Sequence, residues 1–236
     1  MDSADPTRPF SVAGIQNFGW VEPGLLARGE QPPLEHGTFE SLRELGIRAV
    51  VSLRPDREPL SQASPHPWPE YRVAEEQAVV ETAGLRFSHA PLEDFSAPSP
   101  ADVAAALQVL DTELARAPAV YVHCRAGAGR AALITSAWAV SRGQSGDRAA
   151  ELYERFMEHL ALARGLSEVD RLALYERVGQ PYVWWALREI VRALGSPVTR
   201  DLRHGLPARR PPRSDGWEAA YDVALAPWRR SVQGSV

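Results

Sequence analysis

The only cysteine of the chain, Cys124, lies in the stretch HCRAGAGR, six positions before Arg130. A thiolate is a strong nucleophile, and a guanidinium can bind two oxygens of a tetrahedral oxyanion at once. Between the two residues, Gly127 and Gly129 allow backbone conformations that other residues resist, so backbone N–H groups can point toward one centre. The loop therefore predicts that Cys124 attacks a phosphorus atom held by the loop and Arg130.

The elements around the loop fit that chemistry. AVYVHC before it predicts a buried strand, and RAALITSAWAVSRG after it predicts a helix whose positive N-terminal end faces the anion. The predicted phosphate-binding residues are Arg125, Ala126, Gly127, Ala128 and Gly129. Two alternatives stay open: Cys124 as a small apolar residue that ends a strand, and a rhodanese-like sulfurtransferase loop, which is usually shorter before its arginine.

The rest of the chain predicts an α/β fold with a mostly parallel central sheet flanked by helices. Three further apolar runs, 24–29, 48–53 and 86–92, predict strands that alternate with helical patterns. After residue 130 the pattern becomes entirely helical. The predicted organisation is a flexible N-terminus over 1–12, one domain over 13–195, and a Pro/Arg-rich, extended tail over 196–236. Docking of the segment WEAAYDVALAPW within this tail stays open as an alternative.

The order of His123, Cys124, five residues and Arg130 resembles the cysteine-dependent protein tyrosine phosphatase superfamily. The loop is most similar to that of the compact dual-specificity branch, and the resemblance extends over residues 15–160. NFGWVEPGLLARGEQPP resembles the opening segment of atypical dual-specificity phosphatases, and PLEDFSAPSPADV resembles their general-acid loop. The resemblance implies a dual-specificity phosphatase-like fold, with Cys124 as nucleophile, Arg130 as phosphate clamp and His123 orienting the loop and tuning the thiolate.

One residue departs from the family pattern. The family usually has Ser or Thr directly after the arginine, whereas this chain has Ala131. Because that hydroxyl normally helps to stabilise the leaving thiolate, the departure predicts slow turnover.

A phosphatase also needs a proton donor for the leaving oxygen and a base for the attacking water. Asp94, thirty residues before Cys124, follows a predicted strand and matches the acid position of the family, with Glu93 as the alternative. Arg54 and Arg57 follow another strand and are predicted to bind substrate at the same edge of the sheet. A further charge from Arg125 would favour substrates with more than one phosphate.

Composition restricts the remaining classes. The net charge of −4 and the pI near 5.9 predict no binding to nucleic acid, and the apolar runs are too short for a membrane span. A single cysteine favours a reducing, cytoplasmic location, and the scattered histidines predict neither a metal nor another cofactor. Nothing in the sequence predicts the oligomeric state.

The predicted function is hydrolysis of phosphate monoesters through a phosphocysteine intermediate. Phosphorylated protein, with phosphotyrosine first and phosphoserine or phosphothreonine beside it, is the leading substrate. Two alternatives remain: the same chemistry on an inositol phosphate or phosphoinositide, and a phosphate-binding pseudophosphatase, which Ala131 keeps open.

Overall fold

The structure, a computed structural model, describes residues 9–34, 37–56, 72–94, 96–163, 165–177, 180–201 and 207–229. Its centre is a six-stranded sheet of order β1-β2-β3-β6-β4-β5. The strands are β1 (Phe10–Val12), β2 (Ile15–Glu22), β3 (Leu26–Gly29), β4 (Ala49–Ser52), β5 (Arg86–His89) and β6 (Val120–His123). The pairs β3–β6, β6–β4 and β4–β5 are parallel, whereas β1–β2 and β2–β3 are antiparallel. The predicted α/β class with a mostly parallel sheet is confirmed.

Eight α-helices among the described residues cover the sheet. They are α1 (Thr38–Glu44), α2 (Val73–Thr82), α3 (Pro100–Leu114), α4 (Arg130–Ser141), α5 (Gly146–Ala163), α6 (Glu168–Arg177), α7 (Gln180–Ala193) and α8 (Trp217–Ala224). The helix α3 starts as its sequence predicts, because the Ser99 hydroxyl accepts from the Asp102 backbone N–H and Pro100 occupies the first turn. Within the described part of the chain, no helix is both long and apolar enough to cross a membrane.

The central strand β6 sends alternate side chains to the two faces of the sheet. Val120 and Val122 pack in the larger core, together with apolar side chains of α3, α4, α5 and α7. Tyr121 packs in the smaller core with residues of α1 and α2. Cys124 belongs to the larger core and His123 stacks on Tyr121. We call these two sides the cysteine face and the histidine face.

Two parts of the predicted organisation need correction. Residues 10–12, predicted to be flexible, form β1, which pairs with β2; neither strand was predicted from the sequence. Within the predicted extended tail, α8 forms and packs against α3 and α7. Tyr221 is fully buried there and donates to the Pro98 carbonyl oxygen at 2.6 Å, while Trp228 Nε1 donates to Asp111 at 2.7 Å. Buried aromatic area explains why this segment docks in spite of its Pro/Arg-rich surroundings.

Candidate active site

The cysteine loop lies at the carboxyl end of β6, where ligands of open α/β sheets usually bind. Cys124 is 2% exposed, and α4 begins at Arg130 directly after the loop. Gly127 has a φ of 71°, and a Cβ there would lie 2.4 Å from the Gly29 carbonyl carbon. The loop therefore packs so closely against the end of β3 that only glycine fits at this position.

Hydrogen bonds from the antiparallel part of the sheet hold the loop. The Gln31 backbone N–H donates to the Arg125 carbonyl oxygen at 3.0 Å, and Asn17 Nδ2 donates to the Ala126 carbonyl oxygen at 2.9 Å. The Tyr121 hydroxyl donates to the carbonyl oxygen of Glu30, the residue directly after β3, at 2.6 Å and so fixes the chain beside the loop. These contacts fix the positions of two loop carbonyls through groups of the protein itself.

The segment that contains Asp94, the predicted acid, contacts the cysteine loop through the side chain of Arg130. Its Nη2 lies 3.0 Å from Asp94 Oδ2, and its Nη1 donates to the Leu92 carbonyl oxygen at 3.3 Å. Arg130 is 2% exposed, whereas the Asp94 side chain keeps 26% of its surface open to solvent. Glu93, the alternative acid, is exposed. The structure thus brings Asp94 to the arginine and the cysteine loop.

On the histidine face, His123 belongs to a buried polar cluster that the sequence did not predict. Its Nε2 lies 2.6 Å from Glu76 Oε1, and its Nδ1 lies 3.2 Å from the Cys124 carbonyl oxygen. The Ser52 hydroxyl donates to Glu76 at 3.2 Å, and Arg54 Nη1 lies 3.8 Å from the same carboxylate. Glu76 therefore anchors the histidine that contacts the loop backbone.

The three further arginines predicted to bind substrate are not all at the rim. Arg54 follows the carboxyl end of β4 but is 2% exposed, and its Nη1 lies 3.8 Å from Glu76 on the histidine face. Arg125 is 8% exposed. Arg57 lies outside the described residues. Of the remaining loop residues, Ala128 is buried, while Ala126 and Gly129 are half-buried.

A fully buried arginine on the cysteine face was also missed, because the run 24–29 predicts only a strand. Arg28 Nη2 donates to the Leu152 carbonyl oxygen at 2.8 Å, and the guanidinium carbon lies 3.6 Å from the centre of the Phe156 ring. Burial lowers the pKa of Arg28 to about 9, and the charges of Cys124 and Tyr153 oppose that shift. An electrostatic interaction thus links Arg28 to the candidate nucleophile.

Comparison with known proteins agrees with this geometry. Residues 28–144 match the model of a family described as "Polymorphic toxin system, DSP-PTPase phosphatase". This match supports the cysteine-dependent protein tyrosine phosphatase superfamily. The matched segment of this phosphatase contains Asp94, the whole cysteine loop and α4. The predicted superfamily and the predicted phosphatase function are confirmed.

Solved structures of similar proteins are distant from this phosphatase in sequence. The core catalytic domain of the PP-IP phosphatase SIW14 from S. cerevisiae is 18% identical, with a TM-score of 0.47 over 71% of this chain and 95% of that one. TpbA from P. aeruginosa is 22% identical, with a TM-score of 0.48 over 72% of this chain and 98% of that one. A further structure of TpbA is a complex with pTyr.

Proposed function

We propose that this phosphatase hydrolyses phosphate monoesters by a two-step, cysteine-dependent mechanism in which Cys124 is the nucleophile. The observation that carries the proposal is the 3.0 Å contact between Asp94 and Arg130, at the loop that begins with Cys124. Nucleophile, anion clamp and proton donor then converge at one edge of the sheet. These are the three groups that phosphoryl transfer without a metal requires.

In the first step, the Cys124 thiolate attacks phosphorus and the bond from phosphorus to the ester oxygen breaks. Arg130 and the loop N–H groups hold the three non-bridging oxygens, and the positive end of α4 stabilises their charge. Phosphate binding draws Arg130 away from Asp94 and brings a dianion near the carboxylate. Both changes favour the protonated acid, which then supplies the proton to the leaving oxygen.

In the second step, water attacks the phosphocysteine. Asp94, now a carboxylate, accepts a proton from that water, the P–S bond breaks, and the electron pair returns to the sulfur of Cys124. The products are inorganic phosphate and a thiolate ready for another cycle. This step depends on how well the protein stabilises the sulfur as it leaves.

Protein phosphotyrosine is the substrate class that we propose, with phosphoserine and phosphothreonine as weaker targets. Arg54 is directed to Glu76 and Arg125 is 8% exposed, so neither supplies an exposed cation for a second phosphate. This arrangement favours a substrate with one phosphate over an inositol polyphosphate or a phosphoinositide. Retention of Cys124, Arg130 and Asp94 in one site favours an enzyme over a phosphate-binding pseudophosphatase.

The test is phosphate release from an aryl phosphate, phosphotyrosyl peptides and inositol polyphosphates, with and without a metal chelator. We expect activity that resists the chelator, is inhibited by vanadate, prefers the phosphotyrosyl peptides, and is abolished by Cys124→Ser. A Cys124→Ser protein with full activity would disprove the thiolate mechanism, and a strict metal requirement would do the same. Preference for inositol polyphosphates would contradict the substrate assignment alone.

A further inference from the structure

The environment of Arg28 is unusual for a charged residue. The side chain is fully buried in β3, and it makes one hydrogen bond, to the Leu152 carbonyl oxygen, together with the stack on Phe156. Its Nε and Nη1 have no hydrogen-bond partner among the described residues. Burying a cation without a carboxylate partner is costly, so an uncharged side chain of similar size would make a more stable strand.

The sheet register places Arg28 beside the cysteine. Arg28 pairs with Val122 across the parallel β3–β6 pair, and Cys124 is the next residue of the chain on the same face. Adjacent strands are only about 4.8 Å apart, so Arg28 and Cys124 are diagonal neighbours. The negative charge of Cys124 raises the pKa of Arg28, against the larger effect of burial. Coulombic attraction acts on both partners, so a cation at this position attracts negative charge on the neighbouring sulfur.

We propose that Arg28 is a positioning residue that stabilises negative charge on the Cys124 sulfur from inside the sheet. This inference rests on the proposed function. It assigns to Arg28 the role that the family resemblance gives to the Ser or Thr hydroxyl directly after Arg130, a position that the fully buried Ala131 occupies in this chain. Arg28 touches no substrate and acts only through the sulfur. Its charge matters twice: when the thiolate attacks phosphorus, and when the P–S bond breaks and the sulfur leaves with the electron pair.

The test measures the thiolate directly. Cys124 is the only cysteine in the chain, so the rate of single alkylation by neutral iodoacetamide, followed by mass spectrometry, reports on this sulfur alone. The midpoint of that rate against pH gives the balance between thiol and thiolate. In Arg28→Gln, which is neutral and can still donate to the Leu152 carbonyl, we expect the midpoint to rise by about one pH unit. Protection by inorganic phosphate confirms that the alkylated site is the anion site.

The matched control is Phe156→Leu, which disturbs the same contact between β3 and α5 but keeps the charge. It should lower the melting temperature and leave the midpoint where it is in the wild-type protein. An unchanged midpoint in folded Arg28→Gln overturns the proposal, and so does an equal shift in Phe156→Leu, because packing would then explain both.

If Arg28→Gln does not fold, Arg28→Lys takes its place, since it keeps a cation and loses the stack. Its midpoint is expected to stay near the wild-type value, and a rise of one pH unit would overturn the proposal. Alkylation requires no turnover. An active Cys124→Ser protein would therefore refute the proposed function, whereas the midpoints decide the role of Arg28 separately.

Discussion

The two faces of the sheet beneath the cysteine loop handle buried charge in different ways. On the histidine face, Glu76 contacts His123, Ser52 and Arg54, so its carboxylate is surrounded by donors. On the cysteine face, Arg28 has one carbonyl and one aromatic ring around it. Both charges are fully buried, and both adjoin β6: Glu76 contacts His123 of that strand, and Arg28 lies on the neighbouring strand β3.

This difference indicates that the buried charges on the two faces have different roles. A buried charge with several hydrogen-bond or ion-pair partners restricts the positions of the side chains around it, because each contact requires a particular geometry. A charge with few partners exerts its field on whatever neighbour can become charged, since little nearby compensates it. We therefore propose that His123 and Glu76 hold the loop backbone, while Arg28 acts on the charge of the sulfur.

The largest effect is expected for Asp94, the proposed proton donor beside the cysteine loop. Asp94→Asn removes the proton donor and should lower kcat by roughly 10²–10⁴-fold, most strongly for substrates with poor leaving groups. The measurement is steady-state turnover of aryl phosphates with different leaving-group pKa values. Glu93→Gln is the matched control, because its side chain is exposed and next in the chain. A greater loss in Glu93→Gln would place the acid at the other carboxylate.

On the histidine face the expected effect is on stability. Glu76→Gln leaves His123 and Arg54 without their anionic partner and should lower the free energy of unfolding by about 3 kcal/mol, measured by urea denaturation. Glu81→Gln, exposed on the same helix, should change it by less than about 0.5 kcal/mol. If Glu76→Gln shifted the alkylation midpoint more than Arg28→Gln does, control of the thiolate would belong to the histidine face.

The smallest effect concerns the missing hydroxyl. Arg28 replaces it only in part, so breakdown of the phosphocysteine should still be the slow step, and rapid mixing with an aryl phosphate should show a burst of phenol near one equivalent per enzyme. Ala131→Ser should shrink the burst and raise the steady rate by about fivefold, the value of one hydrogen bond. The gain should be larger in an Arg28→Gln background, where the sulfur lacks its cation.

Two further variants separate the hydroxyl from added bulk. Ala131→Thr and Ala131→Val have nearly the same shape, so only the threonine variant should gain steady rate. A linear time course from the first turnover, with no gain from either hydroxyl, would show that another group already stabilises the leaving sulfur.

The two central parallel strands, β4 and β6, were predictable because they are mainly apolar runs buried on both faces. β4 and β6 lie inside the predicted runs, and α4 follows the loop where the sequence places it. β2 was not predicted, since IQNFGWVE lacks a regular alternation and contains Gly19, where a Cβ would lie 2.7 Å from the Phe156 ring. Its need for glycine comes from a contact that only the folded protein creates.

The site was predictable in part because some of its residues lie close together in the sequence. Cys124 and Arg130 share one loop, so local spacing is enough to link them, and Asp94 follows from the resemblance. Glu76 and Arg28 lie on other elements, 48 and 96 residues before Cys124. Glu76 stands beside the exposed Glu75 on α2, and only the packing of that helix decides which of the two carboxylates is turned inward.

The docking of α8 determines where this chain can be shortened for expression. A fragment that ends at residue 195, the boundary that the sequence predicts, would lose the Tyr221 hydroxyl from the Pro98 carbonyl and expose the ring of Trp185, which packs on Tyr221, to solvent. Such a fragment would retain every proposed catalytic residue, yet it would be prone to aggregate and to proteolysis between the acid segment and α3. We therefore propose that the folding unit extends through residue 229, and that crystallisation or library work should keep the C-terminal segment.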